Sequence, residues 1–214
     1  AMNYLIKQGL AFYWGTSDWT AAQIMEAFKI CDRLRLIRPA VDQCHYNMFT
    51  RDSVESDYND LIKKYNFGLV TYSPLESGIL TGKYINEIPK DSRAHLTYDN
   101  ANSAMYRYIK EKKFWDEKLL KIKDIAEKKI GCNLAQLCIA WVIANKDIHS
   151  CLLGASKTVQ LEDNIKALEI YKKIDKEVWI EIEKILDNVP KGETDFRSRE
   201  VFPTSRNIAM GIDY

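Results

Sequence analysis

The sequence predicts an α/β protein made of four parallel strand–helix units, the equivalent of half an eight-stranded barrel. Short apolar segments alternate with amphipathic segments along the chain, as in repeated strand–helix modules. Three units begin at Leu10, Pro39 and Gly68, about 29 residues apart, which fits a strand followed by a crossover helix. Hydroxyl residues, a proline and glycines follow the third apolar segment, as at the carboxyl end of a barrel strand.

The composition is typical of a globular protein. The 214 residues are 46% hydrophobic and 29% charged, with a formal net charge of +1. Because Lys and Arg are interspersed with Asp and Glu, we expect no nucleic-acid partner. The longest apolar run, Leu134–Ala144, is too short to cross a bilayer, so we expect no membrane insertion. Five cysteines without a CxxC pattern indicate reduced thiols in a cytoplasmic protein and no metal site.

The first two units each read as a strand followed by a helix. A strand is predicted at Leu10–Gly15 and a second one at Ala40–Cys44, with a helix over 54–65 after the second. A hydroxyl, amide or carboxyl side chain precedes three of the predicted helices and should cap them: Thr20, Asn133 and Asp175.

The third unit contains the most informative loop. Its strand includes Phe67–Val70 and must stop pairing at Pro74, which has no N–H to donate. Gly78 and Gly82 would let the backbone approach a phosphate closely, and Lys83 supplies a cation for it. An ordinary Gly-rich connection is the alternative interpretation.

The last part of the chain is less regular. A polar surface loop and a long helix over 103–129 form a predicted helical insertion at about 84–130. The fourth strand is predicted at Ser150–Gly154. We therefore assign the half-barrel to residues 1–189 and a C-terminal tail to 190–214.

Four strands cannot close a barrel, because an inward row of side chains and two strand edges would stay exposed. The residue pattern leaves three arrangements open: the rest of the barrel lies outside this sequence, two chains combine, or the strands form an open sheet. Since exposed edges and apolar surface favour association, we expect a homo-oligomer.

Four strings occur in the order, and at the strand ends, that the aldo-keto reductases use. They are YWGTSDW at 13–19, QCHYNMF at 43–49, TYSPLESGILTGKY at 71–84 and LLGASKTVQLEDNI at 152–165. The chain most resembles the voltage-gated potassium channel β-subunit branch, and the likeness extends to Arg199. The resemblance implies a (β/α)8 TIM barrel that binds NADPH or NADP+, with this sequence as its C-terminal half, strands five to eight.

The resemblance also implies a set of cofactor-binding residues. Ser17 and Gln43 match positions that hold the nicotinamide carboxamide, and Tyr72 matches the aromatic ring on which the nicotinamide stacks. The other matches are the pyrophosphate loop Ser73, Pro74, Leu75, Glu76 and Ser77, the cations Lys83 and Arg93, the phosphate turn Gly154 and Ser156, and the adenosine side Gln160, Asp163 and Asn164. Each residue alone has an ordinary structural explanation, except that we expect Gln43 to be buried at its strand end.

Two acidic residues depart from the family pattern. Asp18 stands where the family usually has Arg, so its side chain should point away from a pyrophosphate. Glu76 adds a negative charge to the phosphate loop and should face solvent or a cation. Cys44 and His45 are neighbours on a strand and should face opposite sides, so we expect no nucleophile–base pair between them.

The resemblance places the catalytic Asp, Tyr, Lys and His or Asn on the first half of the barrel, and no segment here matches it. We therefore expect no catalytic residues in this chain and no carbonyl reduction by it alone. In the complete enzyme a hydride would pass from NADPH to a small aldehyde or ketone. The alternatives are an auxiliary scaffold that binds NADPH and a potassium-channel cytoplasmic domain, or an unrelated protein without a cofactor.

Overall fold

The protein is built on a parallel sheet with helices in the connections. A computed structural model describes residues 1–90, 92, 95 and 103–190. Its four strands, β1 (Gly15–Ser17), β2 (Val41–His45), β3 (Gly68–Tyr72) and β4 (Ser150–Cys151), lie in the order of the sequence and all pair in parallel. This confirms the predicted α/β class with a parallel sheet.

Helices account for most of the rest of the described chain. The α-helices are α1 (Met2–Lys7), α2 (Ala21–Leu34), α3 (Asn59–Tyr65), α4 (Ala104–Lys110), α5 (Lys112–Ile125), α6 (Leu134–Ala144), α7 (Thr158–Ile165), α8 (Ala167–Ile170) and α9 (Lys176–Leu186). Short π-helical turns at Ser53–Asp57 and Ala126–Ile130 lie next to α3 and α5. Two 3-10 segments cover Glu76–Thr81 and Tyr171–Lys173.

The predicted caps are present. The Thr20 hydroxyl accepts from the Gln23 N–H at 3.3 Å, and the Gln23 side chain accepts from the Thr20 N–H at 2.9 Å. Asn133 and Gln136 form the same reciprocal pair at the start of α6. Asp175 accepts from a backbone N–H in the first turn of α9 at 2.8 Å. These bonds satisfy donors that a helix start leaves unpaired, so local sequence sets where α2, α6 and α9 begin.

Several predicted boundaries are wrong. The first strand is Gly15–Ser17 and not Leu10–Gly15: Phe12 and Tyr13 are 89% and 76% exposed, because pairing with the neighbouring strand starts only at Trp14. The predicted helix over 103–129 breaks at Glu111, whose φ of −116° and ψ of 23° lie outside the helical range. The second strand extends from Val41 to His45, and the fourth ends at Cys151.

The two faces of the sheet differ. The face covered by helices carries Thr16, Asp42, Cys44, Leu69 and Thr71, all buried. They adjoin a core that includes Ile24, Leu61, Leu137 and Trp141. Of the alternate side chains, Ser17 and Gln43 are exposed, and Val41, His45, Val70 and Tyr72 are half-buried. Among the described residues β1 and β4 each pair with one neighbour, so the sheet has two open edges.

No helix in the described part of the chain is both long and apolar enough to span a membrane. Within the same residues, no three His, Cys, Asp or Glu side chains cluster as metal ligands would. Arg93 and the chain from 191 onward lie outside the described residues. The division into a half-barrel, an insertion at about 84–130 and a tail stays a prediction.

Candidate functional site

A cavity of about 720 Å³ opens beyond the carboxyl ends of β3 and β4. Its walls come from the loop after β3, the turn after β4, helix α7 and the first turn of α6. The lining residues are Ser73, Pro74, Leu75, Ser77, Gly78, Thr81, Lys83, Ala135, Leu153, Gly154, Ala155, Ser156, Gln160, Asp163 and Asn164. The carboxyl end of a parallel sheet is where α/β proteins bind ligands, so this cavity is the candidate site.

The loop after β3 folds into a tight left-handed path. Ser73, Glu76 and Ser77 have φ angles of 53°, 44° and 55°, and Gly78 has a φ of 92°. Backbone bonds close the turn, with the Glu76 N–H donating to Ser73 at 3.0 Å and the Gly78 N–H donating to Leu75 at 2.8 Å. Because non-glycine residues rarely adopt positive φ, this path requires support from its surroundings.

The side chain of Lys83 folds back so that its ammonium group lies next to Gly78 of this loop. A Cβ atom added to Gly78 would lie 2.7 Å from both the Nζ and the Cε of Lys83, so glycine leaves the space that the lysine fills. The ammonium also lies 4.9 Å from the ring centroid of Tyr84. No carboxylate among the described residues forms an ion pair with Lys83. An exposed cation at the cavity wall is suited to an anionic ligand.

The opposite wall is an ordered turn before a helix. The backbone N–H and the hydroxyl of Ser156 donate to Oε1 of Gln160 at 2.9 and 3.1 Å. Helix α7 then starts at Thr158, so its N-terminal N–H groups lie beside the turn that contains Gly154 and Ser156. Such a helix start favours negative charge. The side chain of Gln160 therefore orders the turn instead of pointing freely into the cavity.

Asp163 and Asn164 lie at the base of the cavity. The Asp163 carboxylate accepts from Asn133 at 2.7 Å and from Gln136 at 3.0 Å, the two capping residues of α6. The hydrogen bond from Asn133, helped by those from Lys166 and Gln136, lowers the pKa of Asp163. Asp163 is thus ionised near neutral pH and fixes α7 to the start of α6.

Ser17 and Gln43 lie side by side at the ends of β1 and β2. They are register partners, and the Ser17 hydroxyl donates to the Gln43 carbonyl at 3.1 Å. Both side chains are exposed. The expectation that Gln43 is buried is wrong, because the part of this sheet face around Gln43 stays exposed in the described chain. Tyr72 follows on the next strand, opposite His45.

Tyr72 is held in one orientation. Its hydroxyl donates to the Asp18 carboxylate at 2.7 Å, and its ring stacks on His45 with centroids 5.1 Å apart and an interplanar angle of 15°. Burial, with the Asp18 carboxylate second, raises the pKa of Tyr72. A tyrosine that acts as a general acid needs the opposite shift, so the arrangement suits an aromatic platform. Asp18 itself is not among the described residues that line the cavity.

Glu76 does not face solvent. Its side chain is 5% exposed, its carboxylate lies 2.7 Å from Nε2 of His45, and it accepts a hydrogen bond from Asn47. His45 belongs to the same strand face as Gln43, two residues away, as strand alternation requires. The sequence interpretation missed the roles of His45 and Asn47, because nothing local to Glu76 identifies its partners. Cys44 is buried on the opposite face of the sheet, so the two neighbours face opposite sides, as expected.

The structure brings most of the predicted cofactor residues together. Those that line the cavity are Ser73, Pro74, Leu75, Ser77, Lys83, Gly154, Ser156, Gln160, Asp163 and Asn164. Ser17, Gln43 and Tyr72 lie at neighbouring strand ends. Glu76 belongs to the loop after β3, but its side chain is buried. Arg93 is outside the described residues. Five further residues line the cavity: Gly78, Thr81, Ala135, Leu153 and Ala155. All but Ala135 belong to the strings quoted above, and Ala135 carries no sequence signal of a site.

A second cavity, of about 480 Å³, lies beside β4. It is walled mainly by aliphatic side chains, among them Ile139, Ile148 and Leu168, and no Lys or Arg is among its described lining residues. It therefore lacks the charge that a phosphate-bearing ligand would require.

Comparison with known proteins agrees with the fold and the strings. Residues 1–187 match the sequence model of the aldo/keto reductase family. Over 201 residues the chain is 42% identical to a probable voltage-gated potassium channel subunit beta of Oryza sativa subsp. japonica, an alignment that covers 92% of this chain and 59% of that relative. The chain thus spans less than two thirds of the length of the relative it matches. The chain belongs to the aldo/keto reductase family.

Proposed function

We propose that this chain carries the cofactor-binding half of an NADPH-dependent aldo-keto reductase and corresponds to strands five to eight of a (β/α)8 barrel. The observation that carries the proposal is the single cavity that joins Lys83, the loop after β3 and the turn after β4. Family membership supports an oxidoreductase. When bound, the cofactor would supply a hydride for a small aldehyde or ketone.

The described residues fit a dinucleotide with its phosphates between the two walls. Lys83 supplies a cation, Gly78 leaves room for it, and the start of α7 supplies N–H donors beside Ser156. Adenosine would lie toward Gln160 and Asn164. The nicotinamide end would reach Ser17 and Gln43, whose hydroxyl and amide groups can pair with a carboxamide, and would stack on Tyr72.

In the proposed enzyme, this chain binds and orients the cofactor while the other half of the barrel supplies the proton donor. The described tyrosines near the sheet do not fit that role: burial raises the pKa of both Tyr46 and Tyr72. We therefore expect the 214-residue chain to bind NADPH and to leave an aromatic aldehyde unreduced. In this proposal the protein is cytoplasmic.

The test is a titration of the purified chain with NADPH, followed by quenching of tryptophan fluorescence, beside an assay of aldehyde reduction. Saturable quenching without turnover is the expected result, and the full-length enzyme should show both. Absence of quenching would favour a protein without a cofactor. NADPH-dependent turnover by the chain alone would refute the proposal that the other half of the barrel supplies the proton donor.

A second candidate function is an auxiliary subunit that binds NADPH and a channel cytoplasmic domain. Its support is the similarity to the rice protein described as a probable potassium channel subunit beta. Capture of a channel cytoplasmic domain by the full-length protein, without aldehyde turnover, would favour this function. Under either function the open edges at β1 and β4 favour a homo-oligomer, which sedimentation of the 214-residue chain would detect.

A further inference from the structure

We propose that His45 is a positioning residue that, through Glu76, holds the loop Ser73–Lys83 in the conformation that lines the cavity. The resemblance assigns Glu76 to the pyrophosphate loop, but it gives His45 no role and does not link the two residues. This inference rests on the proposed function, since it specifies how the phosphate-facing loop is kept ready for NADPH.

The contacts attach the loop to the end of β2 at two points. The Glu76 carboxylate lies 2.7 Å from Nε2 of His45 and also accepts a hydrogen bond from Nδ2 of Asn47. The same amide donates to the Ser73 carbonyl at 3.0 Å. Glu76 is 4% exposed, so these contacts are shielded from water. A buried carboxylate needs such partners, and here the partners fix where the loop turns.

The loop needs an external tie. Ser73, Glu76 and Ser77 all have positive φ, and L-residues keep that backbone only where surrounding contacts hold it. The ladder of β3 ends at Tyr72, so sheet hydrogen bonds no longer constrain the residues that follow. In the described part of the chain, the side chains of His45 and Asn47 join this strained stretch to the end of β2.

His45 also joins the loop to the aromatic platform. Its ring stacks on Tyr72 at 5.1 Å while its Nε2 meets Glu76. One imidazole thus touches both the ring proposed to support the nicotinamide and the loop proposed to cover the phosphates. Loss of the Glu76 contact should therefore free the loop without displacing Tyr72, provided that the stack is kept.

The first test needs no cofactor. In the 214-residue chain, His45→Phe keeps a ring against Tyr72 and removes the Glu76 contact, and Glu76→Ala removes it from the other side. We expect amide hydrogen exchange at Glu76 and Gly78 to accelerate about tenfold in both variants, with the α6 amides unchanged. Glu76→Gln, which keeps a carbonyl acceptor, should restore most of the protection. Asp124→Asn, in the exposed Lys128–Asp124 pair, is the control.

Unchanged exchange at Glu76 and Gly78 in His45→Phe would overturn the proposal, as would equal acceleration in α6, which would indicate general destabilisation. The second readout is NADPH dissociation, expected to be about tenfold faster in His45→Phe and unchanged in the control Asp124→Asn. Equal dissociation rates in all variants would also overturn it. If the unaltered chain does not bind NADPH, the proposed function fails, and hydrogen exchange alone decides the role of His45.

Discussion

Replacement of Lys83 by Gln tests the phosphate side of the site directly. The ammonium lies at the cavity wall over Gly78, and no carboxylate in the described part of the chain pairs with it. The substitution therefore removes a charge without leaving a partner unpaired. We expect the free energy of unfolding to change by less than about 0.5 kcal/mol, as for other surface substitutions.

The expected loss in binding follows from the charge and its exposure. Two unit charges 4 Å apart interact by about 4 kcal/mol at an effective dielectric constant of about 20. Because Lys83 is exposed to solvent, water and salt reduce that value, and we expect about 1.4 kcal/mol to remain. This corresponds to about tenfold weaker NADPH binding by Lys83→Gln.

The assay is NADPH titration by tryptophan fluorescence at low and high ionic strength, with thermal unfolding measured in parallel. Since salt screens the interaction of Lys83 with phosphate, the dissociation constant of Lys83→Gln should approach that of the unaltered chain as salt rises. Lys128→Gln is the matched control, since Lys128 is exposed and does not line the cavity. Equal affinity of Lys83→Gln and the unaltered chain at low salt would refute the assignment.

Three further predictions concern stability and the site. Arg51→Met should destabilise the fold by about 3–5 kcal/mol in urea unfolding, because it leaves Glu55 and Glu183 without the buried guanidinium that pairs with them at 2.7 and 2.6 Å. Gly78→Ala should cost about 1–2 kcal/mol in the same assay, because its φ is 92°, and should weaken NADPH binding by displacing Lys83. Burial raises the pKa of the Cys44 thiol from 9.0 to about 12. The stability that the neutral thiol contributes should therefore be full below about pH 9 and lost as pH rises toward 12. Comparing the unfolding of the unaltered chain and Cys44→Ala at alkaline pH measures this loss.

Each of these has a contrary result. Unfolding of Arg51→Met at the same urea concentration as the unaltered chain would show that the buried ion pairs add nothing. Normal NADPH affinity in Gly78→Ala would indicate that the position of Lys83 does not affect NADPH binding. An identical alkaline loss of stability in Cys44→Ala would assign that loss to other groups, such as the buried Tyr58, whose pKa is also raised by burial.

Signals that act over a few residues were predictable from the sequence. The caps at Thr20, Asn133 and Asp175 depend on partners three residues away, and the structure has all three. The stop after β3 was predictable for the same reason, because Pro74 has no N–H with which to continue the ladder and two glycines follow it. Neighbouring parallel strands then bring the separate strings to one end of the sheet.

Features that depend on distant partners were not predictable. The Leu10–Gly15 segment has strand-forming residues, but pairing begins only where a neighbouring strand is available. Gln43 was expected to be buried, yet its exposure depends on what covers that face of the sheet. The contact between Glu76 and His45 spans 31 positions of sequence, and no local pattern joins two such residues.

We propose that the ends of these strands form one dinucleotide site. The most direct measurement is the change in backbone amide NMR shifts when NADPH is added to the 214-residue chain. We predict the largest changes at Tyr72, Ser77, Gly78, Gly154 and Ser156. Changes confined to the apolar cavity beside β4, or no changes at saturating NADPH, would contradict it.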